Sequence, residues 1–231
     1  MLFENIDYDQ IPKLAKKMKS FFAYNQNIDK NAYLNWRVSA HDDIGSQFWQ
    51  LAEGYFDTAI LLIDECLDDN SDKKADIFIF PVLFNIIHGI ELTLKAINDY
   101  LYIALKNKQK IEGGHNIKQL SEVALSLFKD LKKEDSSSEI NDCITGMQLV
   151  KNFILNICEK TNDMAFARYP ITPKDKEMFY TATFENVVVD LEILREQAIY
   201  VITMLNYITD FMLRYLEYMV EIKSEYGGGD F

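Results

Sequence analysis

The sequence predicts an all-α protein: an up-and-down bundle of about five to six helices that ends in a long C-terminal helix. Three observations predict it. Apolar residues recur at the 3.6-residue spacing of a helix along almost the whole chain, and the alternation expected of strands is nearly missing. Gly numbers 9 and Pro 4 in 231 residues, too few for a β fold with many tight turns. The stretch from 184 to 225 contains neither. With 48% hydrophobic and 26% charged residues, a chain of this length buries a core without disulfides or metal to hold it.

Taken in order, Asp7 can cap a short first helix reaching about residue 23, with Pro12 in an early turn. Its Lys13, Lys16, Lys17 and Lys19 form the one dense basic run, either a solvated helix face or a phosphate-binding arm. Residues 25–35 are polar and read as a loop. A second helix is expected over 42–67, where Phe48, Leu51, Ala52, Tyr55, Ala59, Leu62 and Ile63 form an apolar stripe. The acidic run 68–72 stops it. The third and most apolar helix is expected over 81–106, with Pro81 in its first turn. Gly113 and Gly114 break the chain, and His115 or Asn116 can cap a fourth helix ending near Lys132. A polar loop over 132–139 leads to a fifth helix over 140–160, followed by an irregular stretch, 162–180, that holds Pro170 and Pro173.

The last helix, 184–225, would be about 60 Å long at its ordinary rise. That exceeds the diameter of a compact domain of this size. Val188, Leu191, Leu194, Ile199, Ile202, Leu205, Tyr207, Phe211, Tyr215 and Met219 spread over more than one face, so the helix is expected to be covered on several sides and to form a homodimer interface. The organisation is an N-terminal lysine-bearing helix and loop (1–35), one helical bundle (36–225) and a flexible tail (226–231).

The net charge of −12 opposes non-specific binding of nucleic acid. Cys66, Cys143 and Cys158 are odd in number and far apart, which supports neither a disulfide framework nor a zinc site. The first ten residues are acidic and lack the apolar core of a signal peptide. The richest apolar windows, 77–90 and 197–209, are short of a membrane span. A cytoplasmic, reduced protein without a membrane segment is the expectation.

GxGxxG, GxxxxGK[ST], HExxH and GxSxG are all missing, and His41, His88 and His115 are the only histidines. No metal and no cofactor are expected. One helix does hold an unusual set, His88, Glu91 and Lys95, inside FPVLFNIIHGIELTLKAI. Offsets of three and seven residues put them on one face. Buried there, they must be paired. They make either an internal polar network or a pocket for proton transfer or a ligand. Arg168 and Tyr169, in Phe166-Ala-Arg-Tyr-Pro170, sit in the irregular stretch. The guanidinium of Arg168 can anchor to an internal carboxylate such as Glu91, or clamp an anionic ligand. His115, after two glycines, can cap a helix or meet an anion there.

PVLFNIIHGIELTLKAI, followed by GHNIKQL and then FARYP, resembles the HEPN-like (higher eukaryotes and prokaryotes nucleotide-binding) proteins of bacteria, over roughly residues 48–211. The resemblance implies a dimeric bundle of four or five helices, with either metal-independent RNA cleavage in toxin–antitoxin and phage-defence systems or a non-catalytic, nucleotide-linked role. Catalytic members carry Arg-x(4–6)-His. Here the nearest match, Arg37-Val-Ser-Ala-His41, is one residue short and precedes the resembling region, and no histidine follows Arg168, Arg195 or Arg214. A non-catalytic, dimeric binding or regulatory module in stress, toxin–antitoxin or phage-defence systems is therefore the first expectation. The second is a divergent ribonuclease using His88 or His115 as base and Arg168 as phosphate clamp. The third is an acidic, antitoxin-like partner of a basic protein.

Overall fold

The computed structural model describes residues 13, 16–39, 42–172, 174 and 176–226. Asp7, Pro12, His41, Pro173 and the tail 227–231 lie outside these, and with them the expected cap of the first helix and the expected flexible tail. Among the described residues the chain is all-helical and has no sheet; one isolated antiparallel bridge joins Ile171 to Glu177. It divides into two compact units, Met1–Arg37 and Val38–Phe231.

In the first unit the expected helix does not reach residue 23. Lys16 and Lys17 form a turn, 18–20 are irregular and 21–23 bend. None of its described residues is buried, Phe21 and Phe22 included. A short helix with no face to bury is marginal in water. Asparagines organise residues 25–31: Asn25 N–H donates to Asn31 Oδ1 at 2.7 Å, Asn31 Nδ2 returns a bond to Asn25 O at 2.8 Å, and Asn27 caps the 3₁₀ turn Ile28–Lys30. Short amides that bond locally favour turns over continued helix. A single α-helical turn, Leu34–Arg37, comes next. Lys13, Lys16, Lys17 and Lys19 are exposed.

The second unit contains five long helices: α1 (Ile44–Asp68), α2 (Ala75–Lys106), α3 (Ile117–Glu134), α4 (Ser138–Cys158) and α5 (Leu191–Tyr226). Asp43 caps α1 by accepting from Ser46 N–H, and Asn116, not His115, caps α3 by accepting from Gln119 N–H. Three boundaries differ from expectation. First, α2 starts at Ala75, so Pro81 lies inside the helix and not in its first turn. The helix tolerates it because Pro81 is on the exposed side and removes only the donor to the preceding turn. Second, α3 and α4 take up most of the expected 132–139 loop and leave only 135–137. Third, α5 starts seven residues later than expected. Asp190 caps it, its Oδ1 accepting from Ile193 N–H at 3.0 Å, and the three valines before it stay outside the helix. Successive β-branched residues disfavour helix, and an N-capping Asp sets the start. Even so, α5 runs for 36 residues, about 54 Å.

Consecutive helices pack side by side, and α5 closes the bundle against α2, α4 and α1. The central helix is α2, which also meets the 3₁₀ turn Met164–Ala167. Its Ile90, Leu94, Ile97 and Leu101 are fully buried, together with Ala59 and Ile63 of α1, Phe128 of α3, Met147 of α4 and Leu205 of α5. The expected stripe on α1 is largely inward, but Leu51 is exposed and Phe56, outside that stripe, is buried in its place. Among the described residues α2 alone has the length and apolarity of a membrane span, which no window was expected to reach; half of its most apolar stretch is buried within the bundle.

The contact between α1 and α2 depends on glycine. A Cβ placed on Gly89 would stand 2.5 Å from Cε1 of the buried Phe56 ring, whereas one on Gly54 of α1 would meet nothing within 4 Å. Gly89→Ala is expected to destabilise by about 1–3 kcal/mol despite alanine's higher helix propensity. Gly54→Ala is expected to stabilise by roughly 0.5–1 kcal/mol. Urea unfolding of the two variants beside the wild type checks both signs.

Candidate functional site

Five polar residues of α2, His88, Glu91, Lys95, Asn98 and Tyr102, succeed one another at offsets of three, four, three and four. They therefore form one stripe along the most apolar helix of the chain. The chain leaving α2 runs back over this stripe before α3 begins. Asn107 ends α2 in the left-handed region (φ 47°), which asparagine tolerates, and Gly114 holds φ 83°, where a side chain would be strained. Gly114 thereby turns the chain so that His115 reaches Glu91.

Glu91 is the centre. Its side chain is only 8% exposed, and its Oε1 accepts from Lys95 Nζ at 2.8 Å and from His115 Nδ1 at 2.9 Å. Its Oε2 lies 3.8 Å from His88 Nδ1. Burial pushes the Glu91 carboxyl up, but the hydrogen bonds and charges of Lys95 and His115 more than offset it and hold the group below the ordinary carboxylate value. Lys95 is as buried as Glu91 and is neutralised one helical turn away, with the glutamate N-terminal to the lysine as the helix dipole prefers.

His88 is half-buried in an aromatic setting that the sequence did not reveal. Tyr55 of α1 meets its ring edge-on at 4.5 Å, and Phe84, one turn earlier, stacks on it at 5.5 Å. Desolvation lowers its pKa from 6.5. The Glu91 charge works the other way, and the charges of Arg168, Lys95 and His115 add to the lowering. The only sequence signals for these partners are weak ones: Tyr55 belongs to the α1 stripe, and Phe84 precedes His88 by four residues.

The lower stripe fastens the connection. Asn98 Nδ2 donates to Leu120 O at 3.1 Å, and Asn98 Oδ1, fully buried, has no hydrogen-bond partner among the described residues. Tyr102 Oη donates to Glu112 Oε1 at 2.5 Å, and Lys110 Nζ bonds to both. Beside the stripe, the fully buried Asp99 accepts from Lys110 N–H at 2.9 Å and from Gln109 Nε2 at 3.3 Å. Burial pushes its carboxyl up, and these bonds only partly restrain it.

Arg168 is brought near but is not bound in. It is exposed, its guanidinium lies 5.6 Å over Phe84 and 5.5 Å over Tyr169, and among the described residues it has no carboxylate partner. The expected anchor to Glu91 does not form: Lys95 and His115 take Oε1, and the guanidinium rests over the Phe84 and Tyr169 rings instead. Tyr169 is exposed, and its backbone carbonyl accepts from Tyr180 Oη at 3.2 Å. The arrangement thus gathers Lys95, His115 and His88 around one carboxylate, with Arg168 close enough to His88 for its charge to act there. Among the described residues no group of three or more His, Cys, Asp or Glu could hold a metal ion.

Glu91→Ala is expected to cost about 3–5 kcal/mol by leaving Lys95 buried without its partner, and replacing both with apolar residues, Glu91→Leu with Lys95→Met, should recover much of that. Denaturant titration of the two variants tests this. Because folding lowers the His88 pKa, the unfolded chain binds more protons as pH falls below 6.5, so His88 stabilises fully above that value and progressively less below it. Thermal melts between pH 7.5 and 5.5, wild type beside His88→Gln, should show a shallower fall in the variant, the difference being the histidine's share. No family model matches the chain, no curated protein is similar to it in sequence, and no solved structure is similar to it in fold.

Proposed function

We propose that this chain is a HEPN-like helical binding and regulatory module that does not cleave RNA and works as a cytoplasmic homodimer. The observation that carries this reading is the occupation of Glu91. One of its oxygens takes both Lys95 and His115, so the acid–base groups of the stripe are engaged with one another and hold the 107–116 connection on α2. The sides left open, His115, which is 79% exposed, and the Arg168 guanidinium on its aromatic seat, suit recognition of an anionic group. Dimerisation is supported by α5, which buries Val201, Leu205, Ile208 and Met212 while exposing Ile193, Tyr200, Tyr218 and Val220. Three free cysteines, two of them buried, suit a reducing compartment.

A divergent ribonuclease is the second reading, and one observation favours it: the charges of Arg168, Lys95 and His115 all act on a histidine whose protonated form is already disfavoured. Metal-free cleavage of RNA by wild type, His88→Ala, His115→Ala and Arg168→Ala, with melting curves, separates the two. The expected outcome is no cleavage by any of them, with His88→Ala melting lower, and a particle of twice 26.9 kDa by light scattering. Cleavage lost in a variant that still melts like wild type would establish the ribonuclease.

A further inference from the structure

Away from the α2 stripe, the segment leading into α5 is built like an edge strand that has no neighbour. Residues 186–190 belong to no helix, turn or bridge and are exposed, and the backbone of 186–189 makes no hydrogen bond with any described residue. Asp190 alone is engaged, since its side chain and carbonyl cap α5. Val187, Val188 and Val189 are the residue type that most favours a strand. Val188 is 81% exposed against 42% and 39% for its neighbours, the alternation of a strand lying along a surface. Unpaired donors and acceptors on such a segment are a template for another chain.

A groove of 560 Å³ runs between this segment and the first turns of α2, lined among others by Val187, Val189, Ile79, Phe80, Lys73 and Asp76. Ile77 and Ile193, on the two helices that flank it, are 72% and 51% exposed. The surroundings are acidic. Segments 57–76 and 185–196, which α1, α2 and α5 bring to this end of the bundle, carry eleven Asp and Glu against three Lys and Arg, a net −8 of the chain's −12. Two of the three cations are already engaged, Lys74 with Glu65 and Arg195 with Asp64. A second copy is a poor occupant: antiparallel pairing centred on Val188 would bring Glu185, Asp190 and Glu192 of both copies together. Nucleic acid is repelled by the same charge.

We propose that residues 186–189 and the adjoining groove form a docking edge for an extended basic polypeptide segment of another protein. That segment alternates Lys or Arg with apolar residues and adds to the three valines as a second β-strand. Its apolar side chains enter the groove, its cations meet the acidic rim, and its main chain takes the free N–H and C=O groups. The inference is independent of the reading of the His88–Glu91 site.

The test uses the full chain and two labelled eight-residue peptides, one alternating Lys with Val and one alternating Glu with Val. Fluorescence anisotropy reads affinity and hydrogen exchange reads the amides of 187–189. The lysine peptide is expected to bind at least about tenfold more tightly than the glutamate peptide and to weaken as salt is raised. It should protect the 187–189 amides, and Val188→Pro, at an exposed position outside any helix, should weaken it by about tenfold. Equal binding of the two peptides would overturn the charge complementarity. Binding without protection of these amides, or unchanged in Val188→Pro, would overturn strand addition. Protection of the same amides in the protein alone would show that they pair with another copy. The exchange measurement on wild type stands even if the proline variant melts lower.

Discussion

The rest of the structure is arranged around one constraint: a glutamate and a lysine sit in the middle of the most buried helix. Neither can be removed from water alone, since desolvation of a single charge outweighs what packing returns. The helix itself supplies the first part of the solution, because the four-residue offset places Glu91 and Lys95 in contact. The second part must come from elsewhere in the chain, and His115 provides it. The connection between α2 and α3 is therefore drawn back over α2 instead of leaving directly for solvent, and Gly114 takes the conformation that lets it do so.

Once the connection is drawn back, its other polar groups find matching sites on the same stripe or beside it. Asp99 receives the backbone of Lys110, Tyr102 receives Glu112, and Asn98 reaches the first turn of α3. These bonds contribute little net stability individually, but each would leave a buried group unsatisfied in any other register. The polar stripe thus specifies how α3 is placed on α2, and the apolar residues supply the burial that holds it there. On the opposite side, where α1 approaches, specificity is steric: Gly89 admits the Phe56 ring and fixes the spacing of the two helices.

Charge is segregated along the bundle. Around Glu91 stand Lys95, His115 and His88, with Arg168 nearby, whereas the end formed by the turn between α1 and α2 and the start of α5 carries most of the negative charge. The proposed partners follow this division, an anionic group at the first region and a basic segment at the second. The net charge of −12 does not by itself set the field at Lys95 and Arg168, because fields within a few ångströms are set by neighbours and distant charges are screened.

The sequence determined the helices themselves and the existence of the polar face. Periodicity marks α1, α3 and α4 and the end of α2 to within a few residues, since each helix must turn an apolar stripe inward, and offsets of three and seven already place His88, Glu91 and Lys95 together. What it did not determine was which partners those groups would find. The sequence makes Arg168 the candidate for Glu91 and His115 a cap or an anion contact; only the packed chain puts His115 on Glu91, because the glycine turn brings it to the carboxylate while Arg168 comes to rest on Phe84 and Tyr169. The same holds at the boundaries. Pro81 and the three valines of 187–189 obey local rules that tertiary packing can override, and it did so for the proline, within a well-buried helix, but not for the valines, which no other element covers. Local propensity is carried by a few neighbouring residues and can be read from them, whereas the choice among competing partners is made only when distant segments are placed side by side.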